Sequence, residues 1–162
     1  MPVLFWRIKM QVTRRSAITV ILTGCLSLAA TITFAQDHPV KTDDKRVALK
    51  GYDPVSYFTE KKPEQGNKEF SSEYDDTVYW FKNSDHRDQF SSNPDKFAPQ
   101  YDGYCAIALS KGKKVEADPL AWAIKNDRLY VFFGTPGVPI FKKESNSVIK
   151  KSKNNWPKLK NS

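Results

Sequence analysis

The sequence predicts an α+β domain: a small antiparallel sheet of two hairpins with short helices around it. Three observations carry that expectation. Residues 70–74 and 78–82 flank Asp75-Asp76-Thr77, and the second run, VYWF, is a dense cluster of β-formers. Residues 122–125 and 128–133 flank Asn126-Asp127, a turn pair that tolerates left-handed backbone. The segments between and after them carry helix caps and proline stops instead of strand alternation.

Taken in order, residues 46–58 read VALKGYDPVSYF after Arg46, a short apolar run in which Gly51 and Pro54 force a turn before Tyr57-Phe58. Residues 61–67, KKPEQGN, form a loop by composition. Ser84 is the expected N-cap of a helix through Phe90, with Asp85 and Asp88 favourable near its positive end. Asn93-Pro94 stops it, and residues 94–97 supply one more helical turn before Pro99. Residues 104–110 are short and apolar, and their spacing leaves helix and strand equally open. After the second hairpin, whose Trp122 and Tyr130 are expected in the core, Gly134-Thr135-Pro136-Gly137 leads into a lysine-rich amphipathic helix over residues 139–151. No internal repeat or low-complexity tract is visible in the sequence.

The first 35 residues have the organisation of an export signal: a basic start ending in Arg14-Arg15, an apolar run over 17–30, and Thr33-Phe34-Ala35 before Gln36. Cleavage after Ala35 is expected, which places the mature protein in the periplasm. The route stays open between a general secretory signal and a twin-arginine signal, because Ser16-Ala17 follows the arginine pair. Leu22-Thr23-Gly24-Cys25 also fits a lipobox, which would tether the chain at a lipidated Cys25. A polar linker over residues 36–45 precedes the domain, and the single cysteine left after cleavage at Ala35 excludes an internal disulfide.

The net charge of +8 is concentrated at the two ends. Residues 1–35 contribute +4 and residues 142–162 contribute +6, which leaves −2 for residues 36–141. That balance offers no basic face to a phosphate backbone, so nucleic acid is not an expected partner. The C-terminal lysines read as a solvated helix face and frayed tail. Membrane contact is expected only through that tail or through a lipidated Cys25.

The order of segments resembles the YHS domain family. The pieces that carry the resemblance are the Asp53-Pro54-Val55 turn, the Val78-Tyr79-Trp80-Phe81 strand, the His86-Arg87-Asp88-Gln89-Phe90 helix, and Asn93-Pro94 with Lys96-Phe97. VALKGYDPVSYF with APQYDGYCA downstream is similar to the exported branch of that family, over residues 46–141. The resemblance implies metal handling through cysteine ligands: one directly after Asp-Pro-Val, one after the aromatic strand and one before Arg-Asp. This chain has Ser56, Lys82 and His86 there, so of the three only His86 retains ligand capacity.

The expected function is therefore that of an exported YHS-like binding domain for a metal ion or small ligand. A protein-interaction module is the alternative, with a periplasmic protein as its partner, and a thiol-dependent enzyme using Cys105 is a third reading. Cys105 fits a buried small apolar residue, a soft-metal ligand or a reactive thiol. His86 reads as exposed on a short charged helix, or as half of a partial site with Cys105 for a soft ion such as copper, with Tyr101 or Asp102 near it. Asp53 is expected to accept backbone hydrogen bonds in its turn. The many aromatic residues suggest a polar-lipped cavity near Tyr101, Asp102 and Tyr104. No paired carboxylates, Ser/His/Asp pattern or phosphate-cradling Gly-rich loop is present to assign catalytic residues.

Overall fold

The computed structural model describes residues 45–162. The export-signal residues Arg14, Arg15 and Ala35, the lipobox Cys25 and the linker up to residue 44 lie outside the described residues. Two antiparallel hairpins and five helices make an α+β fold: α1 (Ser56–Thr59), β1 (Asn67–Tyr74), β2 (Thr77–Phe81), α2 (Ser84–Ser92), α3 (Pro94–Phe97), α4 (Ala106–Ser110), β3 (Asp118–Lys125), β4 (Arg128–Phe132) and α5 (Gly137–Leu159). The hairpins form two separate two-stranded sheets, not a single one.

Each hairpin turns where the sequence indicates. Asp75 and Asp76 have φ of 50° and 59°, Asn126 and Asp127 of 52° and 55°, the left-handed pairs that match strand twist. Asn83, not Ser84, caps α2: its side chain accepts from the His86 N–H at 2.9 Å. Residues 106–110 resolve as helix, with Cys105 at the N-cap position. The lysine-rich segment is no frayed tail. It continues α5, kinked at Glu144 (φ −118°, ψ 19°), to Leu159, with Phe141, Val148 and Ser152 buried, so the boundary expected at residue 141 falls within its first segment.

The two halves of the chain repeat one architecture, which the sequence did not reveal. A tight turn at Ala48–Gly51 places Leu49, Lys50 and Gly51 at φ of 51°, 52° and 84°; its counterpart at Gln100–Gly103 places Tyr101, Asp102 and Gly103 at 60°, 52° and 81°. Tyr52 N–H then donates to Leu49 O, and Tyr104 N–H to Tyr101 O, each at 3.0 Å. Asp53 N–H donates to Glu64 O and Cys105 N–H to Val115 O, each at 2.9 Å. A short helix follows in each half, and then a hairpin whose strands are displaced by 51 positions (67 to 118, 77 to 128). Both hairpins carry an irregularity after their outermost pair, Asn67↔Phe81 in one and Asp118↔Phe132 in the other.

The core runs through both halves. Phe90 from α2 packs on Tyr79 and Phe81 of β2, and Phe141 from α5 packs on Tyr130 and Phe132 of β4. Tyr57 joins the halves: its buried hydroxyl donates to Pro119 O at 2.9 Å, and Trp122 meets its ring edge-on at 5.2 Å. Tyr130 is buried as expected, whereas Trp122 is only half-buried.

Candidate functional site: a polar node, an apolar pocket and an aromatic cleft

The residues singled out in the sequence divide among three places. The first is a polar node around the fully buried Asp53. The Asp-Pro-Val turn aims its carboxylate inward, where Oδ1 accepts from Val55 N–H at 2.8 Å and Oδ2 accepts from Lys82 N–H at 3.1 Å. His86 lies on the first turn of α2 and brings Nδ1 to 2.6 Å from Asp53 Oδ2. An ionised carboxylate only accepts, so Nδ1 carries the proton. His86 is therefore buried, against the expectation of an exposed ring, because its partner stands 33 positions upstream.

The imidazole's other nitrogen, Nε2, is 3.5 Å from Glu60 Oε1, and Glu60 is bonded to the Lys82 ammonium. Glu60's slight burial pushes its carboxyl up, but hydrogen bonds from Lys82 and Thr59 outweigh this and leave it below the usual carboxylate range. Ser56, Lys82 and His86, the three positions at which the YHS resemblance implies cysteines, do converge here. Their chemistry does not fit a soft metal. The Ser56 hydroxyl donates to Asp53 O at 2.7 Å, and the Lys82 ammonium brings a positive charge to the place where a cation would sit. Among the described residues no group of three or more His, Cys, Asp or Glu side chains could hold a metal ion.

Cys105 occupies the second place, and no hydrogen bond or shared partner links it to His86. It is buried, and its sulfur accepts from Ala108 N–H at 3.4 Å as the cap of α4. By position in the repeat it is the counterpart of Asp53. Where the first half has charge around that position, the second has an apolar pocket of about 290 Å³ lined by Cys105, Ile107, Phe132, Phe133, Gly137 and Ile140. The imidazole nitrogens are directed at Asp53 and Glu60, so His86 offers Cys105 no base.

The third place is a cleft of about 600 Å³ between the β1–β2 turn, the segment from α3 to Asp102, β4 and α5. Tyr74, Tyr79, Tyr101, Tyr130 and Trp156 line it with rings, and Asp95, Asp102, Arg128 and Lys153 bring charge. Tyr74 and Arg128 are both tied to Asp95, through its carboxylate and its backbone carbonyl respectively, which fixes α3 against the two hairpins. Burial pushes the Tyr101 phenol up to about 12, so it stays protonated at neutral pH; it donates to Ile149 O at 3.3 Å. Burial also raises the Asp102 carboxyl, opposed by the positive charges of Lys160 and Arg46.

Tyr101 and Asp102 thus share this cleft, whereas Tyr104 does not line it. The Tyr104 ring packs 5.9 Å from Trp156 between centroids and has the Arg46 guanidinium at 4.1 Å and the Lys114 ammonium at 5.1 Å from its own centroid. Arg46 is fixed there by a two-pronged bond to Glu116, at 2.8 and 2.9 Å, and by donating to Asp102 O at 2.6 Å. Sequence reasoning missed Tyr74, Tyr130, Arg128, Lys153 and Trp156 as cleft residues. Trp156 was the available signal, an aromatic ring set among lysines where a solvated tail needs none. Comparison with protein-family profiles, with curated proteins and with solved structures gives no match.

Proposed function

We propose that this chain is an exported, YHS-like, non-enzymatic binding domain that takes a small organic ligand in the cleft at Tyr101, Asp102 and Trp156. The observation that carries the reading is the lining of that cleft. Its volume falls in the range of small-molecule sites, roughly 300–1,000 Å³, and the partly exposed rings of Tyr74, Tyr101 and Trp156, backed by the buried Tyr79 and Tyr130, stand beside a few fixed polar groups. The charged groups there are unequal in availability. Asp95 is engaged with Tyr74 and Arg128, and Asp75 with Lys160 at 2.6 Å, whereas the Asp102 carboxyl and the Lys153 ammonium have no hydrogen-bonded partner among the described residues.

A ring-bearing molecule with one amine and one acid group matches that pair of unengaged charges. Periplasmic residence is part of the same proposal and rests on the signal-like first 35 residues. Metal binding is the weaker form of the binding reading, because Lys82 and Ser56 displace the chemistry it needs. A thermal-shift screen of small amphoteric ring compounds tests the proposal. Hits should raise the melting temperature of the wild type and lose that effect in Trp156→Leu and Asp102→Asn. Hits retained by both variants would place binding elsewhere.

A further inference from the structure

We infer that one flank of α5, with the apolar rim at its start, is a docking surface for an anionic phospholipid bilayer. Two independent observations lead there. Lys143, Lys150, Lys151 and Lys158 are exposed on the side of α5 opposite the buried Phe141, Val148 and Ser152, with Ser147 and Asn154 between them. None of the four has an ion-pair partner among the described residues, and the only acidic residue of α5 is Glu144. Lys150, Lys151 and Lys158 stand on the segment after the kink at Glu144 and run about 12 Å along it at 1.5 Å per residue, with Lys143 just before the kink.

The second observation is apolar. Phe133 is 72% exposed and Ile140 is 47% exposed, and both line the pocket that also holds Cys105. Ile140 stands three residues before Lys143, and therefore on the same flank of the helix's first segment, so the apolar rim adjoins that lysine. Phe133 and Ile140 adjoin one another at a pocket rim beside lysine, the combination of apolar patch and polar border that marks interaction and membrane sites. On a bilayer the ring and the aliphatic chain enter the headgroup boundary while the lysines meet lipid phosphates.

The charges are lysines alone, point charges without the planar fork or stacking of arginine that nucleic-acid recognition favours. Among the described residues no helix is long and apolar enough to cross a membrane, so the contact is with the surface. This face also differs from the cleft, because Lys153 and Trp156 point to the cleft side of α5.

Co-sedimentation of the full chain with phosphatidylcholine vesicles, and with vesicles that also contain phosphatidylglycerol, tests the inference. Residues 1–44 are common to every variant, so differences among variants report α5. The wild type should partition more strongly onto the anionic vesicles and be released by salt. Replacing the four lysines with glutamine should weaken that preference at least about a hundredfold, since each lysine near such a surface contributes about fivefold. Four arginines should restore it. Phe133→Ser should weaken binding to the anionic vesicles, and far-UV circular dichroism establishes that each variant folds. Equal binding to both vesicle types, or a preference untouched by the glutamine set, overturns the inference. So does lysine-dependent binding to heparin or an acidic polypeptide with none to vesicles.

Discussion

Phe90 and Phe141 occupy the same place in the two halves of the chain. Phe90 packs 4.8 Å from Tyr79 and 5.1 Å from Phe81 between ring centroids; Phe141 packs 4.9 Å from Tyr130 and 5.0 Å from Phe132. Each is a helical ring that packs on both inner rings of its hairpin's second strand, so the two halves lean on their phenylalanines in the same way. Phe90→Ala and Phe141→Ala should therefore cost similar amounts, about 3–5 kcal/mol each by urea denaturation. A large cost at one and little at the other would mean that the two halves are not energetically alike.

The paired turns give a sharper contrast. Gly51 and Gly103 share a left-handed backbone, so a side chain costs each about 1 kcal/mol. A Cβ on Gly51 would also stand 2.7 Å from Trp80 Cε3, whereas on Gly103 the nearest atoms are at 3.4 Å. Gly51→Ala should lower stability by roughly 1–3 kcal/mol more than Gly103→Ala. Equal melting curves for the two variants would contradict the close approach of Trp80.

At the polar node, Asp53 is the hub and His86 one of its donors. Asp53→Ala leaves the Val55 and Lys82 N–H groups and the imidazole without their acceptor, and should cost about 3–5 kcal/mol. His86→Ala removes a single donor and should cost about 1–3 kcal/mol. Neither change should alter ligand affinity in the cleft, provided the protein is folded at the temperature of the assay. A ligand whose binding tracked His86 would move the functional site to this node.

Asp102 supplies the pH dependence. Burial raises its carboxyl above the ordinary value of 3.8, so between 3.8 and the raised value the folded state binds more protons than the unfolded chain. Its contribution to stability is therefore fullest below that window and is lost as pH rises through it. Asp102→Asn does not titrate, so its stability relative to the wild type should rise as pH increases through the same window. A difference in urea midpoint that is flat with pH would show that Asp102 is not desolvated.

The elements were most legible where local chemistry decides them. Asp75-Asp76 and Asn126-Asp127 name their own turns, and Asn93-Pro94 ends α2 whatever surrounds it. Long-range relations were not. His86 looked exposed because Asp53 is far away in the chain, and α5 looked short because its later lysines and Pro157 hide the buried line through Val148 and Ser152. The repeat stayed hidden because its halves keep few identities: Gly51-Tyr52 with Gly103-Tyr104, Asp76 with Asp127, Tyr79 with Tyr130, Phe81 with Phe132 and Phe90 with Phe141. Backbone geometry tolerates every other exchange, including charge for apolar surface at Asp53 and Cys105. The cleft was half-read through Tyr101 and Asp102, since Trp156 and Arg128 reach it only once α5 and β4 are packed.

Native mass spectrometry of the protein purified gently from its own host tests the central claim most directly. The binding account predicts the mass of the chain plus one small organic molecule, with that addition lost in Trp156→Leu and kept in Phe133→Ser. The bare chain alone, or an added mass that fits a metal ion and depends on His86 or Cys105, would contradict it.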